Sequence, residues 1–366
     1  MNITPVKNID LDSISKCQVG ILNTPIQKLE RLSKKLGINL YIKRDDLNGL
    51  AFGGNKLRKL DYFIYDAMQQ GATRIITYGS NQSNHGRLTA AAAAKFGMKC
   101  TILMDELPPK KATGSLLVDR ILGADIFFMD DCNFKNDDEA SYLEKMRKLY
   151  NQATDTLKEK YESKGEKVYI IPEGGSSPLG ALGYFYAAKE IKEQSAEMGV
   201  QMNYVATIMG STGTFGGLIL GSKFFNTSFT CVGVDMAPHS EYATERRISF
   251  INRVSDYWGL GIEITRDDFI LDSSAGGPGY NIPDSKTREY IYLMAREEGI
   301  LLDPCYTAKA FGGIVEMAKD GRIEKNSNVL LIHTGGLPGI FAEEHVEAMQ
   351  EELWNGEQTV FRLREV

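Results

Sequence analysis

Cysteine and histidine are too few and too scattered to organise this chain around a metal or a disulfide frame. Cys17, Cys100, Cys132, Cys231 and Cys305 are odd in number and far apart, with no CxxC pair and no histidine cluster at ligand spacing. Unpaired thiols of this kind are what a reduced, cytoplasmic protein carries. No run approaches the roughly 18 apolar residues that a bilayer-spanning helix needs. Met1–Ser13 alternates polar and charged residues and lacks the apolar core of a secretory signal. A basic excess is missing too: the formal net charge is −6, which argues against nucleic acid and membrane surfaces as partners.

What is present is an alternation. A chain of 366 residues has length for two domains with large cores. Short apolar runs rich in β-branched residues predict strands at Leu40–Arg44, Arg74–Tyr78, Cys100–Met104, Asp125–Met129, Val168–Pro172, Tyr204–Met209, Phe229–Val234 and Asn328–His333. Amphipathic segments between them predict helices, among them Lys56–Gln70, Asn84–Phe96, Leu179–Gln194 and Asp284–Glu298. The strands are apolar throughout rather than at every second residue, which suits parallel sheets covered on both faces. Asp130–Lys167 is charged and helical in pattern, and Met236–Pro283 reads as irregular.

Three of these strands lead into loops with chemical content, and two further turns carry it as well. Gly53-Gly54-Asn55-Lys56 turns tightly into a helix whose first turn holds Lys56, and Asn55 is a candidate cap. The positive end of the helix dipole, with Arg58 and Lys59 nearby, disfavours an ammonium on Lys56 and favours an amine nucleophile. The bland alternative is a solvated basic face. Gly79-Ser80-Asn81-Gln82-Ser83-Asn84-His85 sits where parallel sheets bind ligands and can seat a carboxylate at the next helix N-terminus, although caps use the same residues. Gly210-Ser211-Thr212-Gly213-Thr214 gathers amides for one phosphate, and it is neither GxGxxG nor a Walker loop. His333-Thr334-Gly335-Gly336 offers a hydroxyl to a ring nitrogen, with glycines that admit a flat ligand. Asp303-Pro304-Cys305-Tyr306-Thr307 is a turn opening a helix. A lysine beside a single phosphate seat is the outfit of pyridoxal phosphate chemistry.

In order, Lys43-Arg44-Asp45-Asp46, Gly53-Gly54-Asn55-Lys56, Gln82-Ser83-Asn84-His85, Leu182-Gly183-Tyr184, Ser211-Thr212-Gly213-Thr214, Leu302-Asp303-Pro304 and His333-Thr334-Gly335-Gly336 make the chain resemble one enzyme family. It is that of the pyridoxal-phosphate-dependent D-cysteine desulfhydrases and 1-aminocyclopropane-1-carboxylate deaminases. The resemblance implies an α/β, two-domain, tryptophan-synthase-β-like fold (fold type II), with parallel-rich twisted sheets covered by helices, and a homodimer. It implies a smaller α/β domain over residues 67–165, inserted in a larger cofactor-binding domain of residues 1–66 and 166–366. Lys56 becomes the Schiff-base lysine. Lys59, Ser211, Thr212, Gly213 and Thr214 hold the phosphate, and Asn84, Thr307 and Thr334 approach the ring. Ser83, Asn84, His85, Tyr280 and Tyr306 receive a small amino-acid substrate, with Ser83, Tyr280 and Tyr306 also catalytic candidates. No metal is implied.

Within that family the deaminase branch looks like Tyr-Glu where this chain has Tyr306-Thr307, and tends to Gln at His85. A hydroxyl holds a protonated ring nitrogen less well than a carboxylate does. Prompt loss of a good leaving group asks less of the electron sink than opening a cyclopropane. The expected reaction is therefore α,β-elimination, with D-cysteine giving pyruvate, sulfide and ammonia. The alternatives are aminocyclopropanecarboxylate deamination, elimination or β-substitution on another β-substituted amino acid, and a non-enzymatic pyridoxal phosphate carrier.

Overall fold

The computed structural model describes residues 10–129 and 138–354. Its strands are β1 (Ile26–Lys28), β2 (Asn39–Lys43), β3 (Arg74–Gly79), β4 (Lys99–Met104) and β5 (Asp125–Phe128). They continue as β6 (Val168–Ile170), β7 (Tyr204–Met209), β8 (Thr230–Asp235), β9 (Phe269–Asp272) and β10 (Asn328–Ile332). The helices are α1 (Glu30–Leu36), α2 (Lys56–Gln69), α3 (Asn84–Lys95), α4 (Gly114–Ile121), α5 (Glu139–Glu162) and α6 (Pro178–Glu197). After them come α7 (Gly213–Phe224), α8 (Glu241–Trp258), α9 (Ser285–Glu298), α10 (Thr307–Asp320) and α11 (Glu343–Leu353).

Two sheets form. One has the order β1-β2-β10-β7-β8-β9, parallel except for β1 against β2; the other is β5-β4-β3-β6 and wholly parallel. All eight predicted strands are present. The smaller sheet takes in β6, which pairs with β3 from Arg74 opposite Val168 to Ile76 opposite Ile170.

Side-chain alternation shows why the strands are apolar along their length. Val205 and Met209 of β7 face a core with α6, α7 and α8, while Ala206 and Ile208 face one with α9 and α10. In the smaller sheet, Ile75, Ile102 and Met104 pack against α2 and α3, and Ile76, Tyr78 and Leu103 against Leu157 and Tyr161 of α5. The alanine run of α3 is buried from Ala90 to Ala93, as a closely packed helix requires.

The segment read as irregular instead contains α8 and β9. Ala243, Ile251, Val254 and Trp258 are buried on one side of α8, but Glu245, Arg246, Arg253 and Asp256 between them mask the period. β1 and β9 are edge strands of three and four residues, too short to announce themselves. Cys17, Cys100, Cys231 and Cys305 are free thiols, and Cys132 lies outside the described residues, as do residues 130–137 of the charged stretch. Among the described residues no helix is long and apolar enough to cross a membrane, and no His/Cys/Asp/Glu group suits a metal.

A buried ionic network ties the larger unit together. Arg58 of α2 donates to both oxygens of Asp45, each at 2.8 Å, and to Glu190 of α6 at 2.8 and 2.9 Å. Lys43 of β2 also bonds Glu190, Tyr184 bonds Asp45, and Thr24 donates to Asp45 at 2.6 Å. Burial pushes the Asp45 carboxyl up, but Arg58, Lys43 and Thr24 outweigh it and bring it down to about 2. A depressed carboxylate adds stability above its ordinary value of 3.8, so this contribution is lost as pH falls from about 4 to about 2. Arg58→Met leaves Asp45 buried without its main partner, and urea unfolding at pH 7 should show a loss of about 3–5 kcal/mol. An unchanged midpoint would refute that role for the network.

Candidate active site

The cleft between the sheets is built at the carboxyl ends of β3, β7 and β10 and at the start of α2. It is lined by Lys56, Ser83, Asn84, His85, Ser211, Thr212, Thr214, Tyr280, Tyr306 and Thr334, so most of the predicted site residues meet in one place. Lys59, Gly213 and Thr307 do not line it.

On a helix with about 100° per residue, Lys56 and Lys59 share a face while Arg58 points the other way. That is the outcome. Arg58 enters the ionic network, and Lys56 and Lys59 both donate to the Gly174 carbonyl, at 3.2 and 2.9 Å. The solvated-face reading fails, since Arg58 and Lys59 are buried and Lys56 is only partly exposed, into the cleft. Burial lowers the Lys56 ammonium to about 8, opposed by the charge of Glu173. Desolvation is thus the main activating influence, and Arg58 takes no part. Lys59 is held well below the ordinary lysine value by burial and by Lys56.

Asn55 does not cap α2. Its Nδ2 donates to Thr214 Oγ1 at 2.8 Å, and its Oδ1 accepts from Asn84 Nδ2 at 3.1 Å. Asn84 also donates to the Thr334 carbonyl at 2.8 Å and accepts from Arg87. One amide chain therefore joins the starts of α2, α3 and α7 and the loop after β10.

Ser83 caps α3 by accepting from the Gly86 amide at 3.2 Å, and it lines the cleft as well. His85 Nε2 lies 2.8 Å from Thr77 Oγ1, whose hydroxyl donates to the Ile171 carbonyl at 2.9 Å; the ring nitrogen is accordingly assigned as donor. Burial and the charges of Lys56 and Lys59 hold His85 far below its ordinary value. Its neutral ring offers no charge to an anion. Tyr306 donates to Tyr280 at 2.9 Å, and burial raises both phenols, so both are protonated.

Thr307 departs from expectation. Its hydroxyl donates to Asp303 Oδ1 at 2.6 Å and accepts from the Asp303 amide at 2.8 Å, inside the turn that opens α10. The glycines after β10 also serve the chain itself: a Cβ on Gly335 would sit 2.7 Å from Gly54 Cα, and the two loops pair as an isolated bridge. The turn Glu173-Gly174-Gly175 was not singled out from the sequence. A Gly pair after an apolar run, as in the other loops, was the available signal.

The phosphate seat fits an anion. Thr212 adopts a left-handed conformation (φ 69°) before α7, which turns successive amides toward one point. A Cβ on Gly213 would lie 2.9 Å from Lys59 Nζ and 2.8 Å from Ser176 Oγ, so only glycine leaves that cradle open. No carboxylate bonds Lys56 or Lys59 among the described residues, leaving buried positive charge that a phosphate would balance. In the apoprotein, labelling of Lys56 by an amine-reactive reagent should rise with a midpoint near pH 8, against 10.5 for an ordinary lysine. At neutral pH its amine fraction is on the order of a hundredfold greater. Peptide mass spectrometry across pH measures this, and a midpoint near 10.5 would contradict it.

Comparison with known proteins agrees with this geometry. The chain is 39% identical over 330 residues to a putative 1-aminocyclopropane-1-carboxylate deaminase of Thermotoga maritima, covering 90% of this chain and 98% of that one. It is 36% identical to the 1-aminocyclopropane-1-carboxylate deaminase of Bradyrhizobium diazoefficiens, covering 87% and 93%. The crystal structure of a homologue of that deaminase superposes with a TM-score of 0.80 at 33% identity, over 94% of this chain and 97% of the other. The profile of the family described as pyridoxal-phosphate dependent enzyme matches residues 18–335. The chain therefore belongs to the pyridoxal-phosphate-dependent enzymes, in the 1-aminocyclopropane-1-carboxylate deaminase family with its type II fold, and pyridoxal phosphate is its cofactor.

Proposed function

We propose that this protein is a lyase that eliminates the β-substituent of a small amino acid, with D-cysteine the first candidate, releasing pyruvate, sulfide and ammonia. The observation that carries this reading is the threonine at position 307. Its hydroxyl is bonded to Asp303 and no carboxylate reaches the cleft from α10. That supports a reaction needing only brief charge storage over one that opens a strained ring.

Lys56 would hold the cofactor, with Lys59 and Ser211–Thr214 on its phosphate and Asn84 and Thr334 beside its ring. Pyridoxal phosphate, when bound, supplies an electron sink for the pair left by a Cα proton. Lys56 would be the base that takes that proton from Cα, and its lowered pKa suits the task. Ser83 and the first amides of α3 orient the substrate carboxylate. The Tyr306–Tyr280 hydroxyl pair can pass a proton to the departing group. The two sheets define a smaller and a larger domain on this reading, and the protein works as a cytoplasmic homodimer.

Aminocyclopropanecarboxylate deamination is the second reading, favoured by relatives at 35–39% identity that carry that name. Both reactions release a ketoacid and ammonia, but only the first releases sulfide. Assaying D- and L-cysteine, β-chloroalanine and aminocyclopropanecarboxylate for ketoacid and sulfide separates them. Sulfide from D-cysteine is expected; 2-oxobutyrate from aminocyclopropanecarboxylate with none from D-cysteine would replace the first reading by the second. Lys56→Ala should abolish turnover and the cofactor's lysine-bound absorbance band. Retention of both would overturn the site.

A further inference from the structure

One charged group in the cleft has no part in the chemistry above. Glu173, in the turn between β6 and α6, lines the cleft and is exposed into it while closely walled by the protein. It directly precedes Gly174, whose carbonyl receives both Lys56 and Lys59. Burial raises the Glu173 carboxyl above its ordinary value and the Lys56 charge opposes that rise, while Glu173 in turn favours the Lys56 ammonium. Asp105 acts on Glu173 with like charge, and Arg246 of α8 with opposite charge. Glu106, next to Asp105 after β4, accepts from the Asn81 amide at 3.0 Å in the loop leading to Ser83. Among the described residues Glu173 is the one acidic side chain that lines the cleft.

The other charged ends of a substrate complex already have seats. A phosphate belongs at Ser211–Thr214 with Lys59, and an amino-acid carboxylate at Ser83 and the start of α3. The reacting carbons must lie within reach of Lys56, which brings the β-substituent close to the carboxylate beside it. No cation other than Lys56 lines the cleft among the described residues.

Building on the lyase reading, we propose that Glu173 is a specificity-determining residue that sets the charge of the side chain this enzyme accepts, admitting neutral or cationic β-substituents and rejecting anionic ones. The rejection is like-charge repulsion in a partly dehydrated site, where charges act strongly on one another. The substrate class is thereby narrowed to amino acids bearing a thiol, halide, hydroxyl or amino group at Cβ, and away from sulfonate, phosphate or carboxylate.

The test compares the holoenzyme with Glu173→Gln and Glu173→Asp on β-chloroalanine, 2,3-diaminopropionate, cysteate and O-phosphoserine. KM, or the inhibition constant against β-chloroalanine for a compound not turned over, is read as the ratio of anionic to neutral compound within each protein. The native enzyme and Glu173→Asp should favour the neutral compound by about tenfold or more, and Glu173→Gln should reduce that preference to within about threefold. A second reading needs no cofactor: in the apoprotein, Glu173→Gln should move the Lys56 labelling midpoint to lower pH, because the neighbouring negative charge is gone. Equal ratios in native and Glu173→Gln protein, or an unmoved midpoint, would overturn the proposal. Failure of every compound to yield ketoacid would instead refute the lyase reading.

Discussion

The structure hangs on one buried guanidinium. Arg58 lies two residues beyond the lysine at the centre of the cleft, and its guanidinium donates to Asp45, Glu190 and Thr24. Through those partners it joins α2 to the turn after β2, to α6 and to the segment before β1. Gly183 allows the approach, since a Cβ there would fall 2.6 Å from the Arg58 carbonyl. Bidentate pairs have little angular freedom, so the helix is fixed in rotation as well as position. With that rotation fixed, Lys56 reaches the cleft and Lys59 turns to the same Gly174 carbonyl behind it.

The cleft in turn is organised by a charge left without a partner. Two buried amines share one carbonyl, beside a left-handed residue that opens the cradle at α7. Burial disfavours both ammonium groups, which makes Lys56 a better nucleophile. The same burial keeps His85 neutral and both tyrosines protonated. The amide chain Asn55–Asn84–Thr334 holds the surrounding loops in register, so the side chains that meet a ligand come from parts of the chain nearly 280 residues apart. On its remaining side the cleft carries Glu173, so its lining includes one basic and one acidic side chain, Lys56 and Glu173.

Much of this was legible beforehand. The eight principal strands and the helices beginning near Lys56 and Asn84 follow from periodicity, because their apolar residues are continuous and their loops rich in Gly, Ser and Asn. The edge strands β1 and β9 were not legible, since three or four residues carry no period and their pairing is long-range. α8 was hidden by charges on its exposed faces. Arg58 was misread as part of a basic site although helical geometry alone puts it opposite Lys56. The partners of Asn55 and Thr307 are not legible locally, because capping and turn bonds depend on which polar group is nearest in space: Thr214 for one, Asp303 for the other.

The sequence by itself determined the elements and the chemistry available, because strand and helix periods, glycine turns and a lysine at a helix start are local properties. Only the tertiary structure decided how those groups are used. Whether a lysine is activated, a histidine neutral or a threonine occupied depends on desolvation and on partners brought from distant elements. Glu173 shows this best: within the chain it is one acidic residue among 48 Asp and Glu, and only the packing of β6 against β3 sets it beside Lys56.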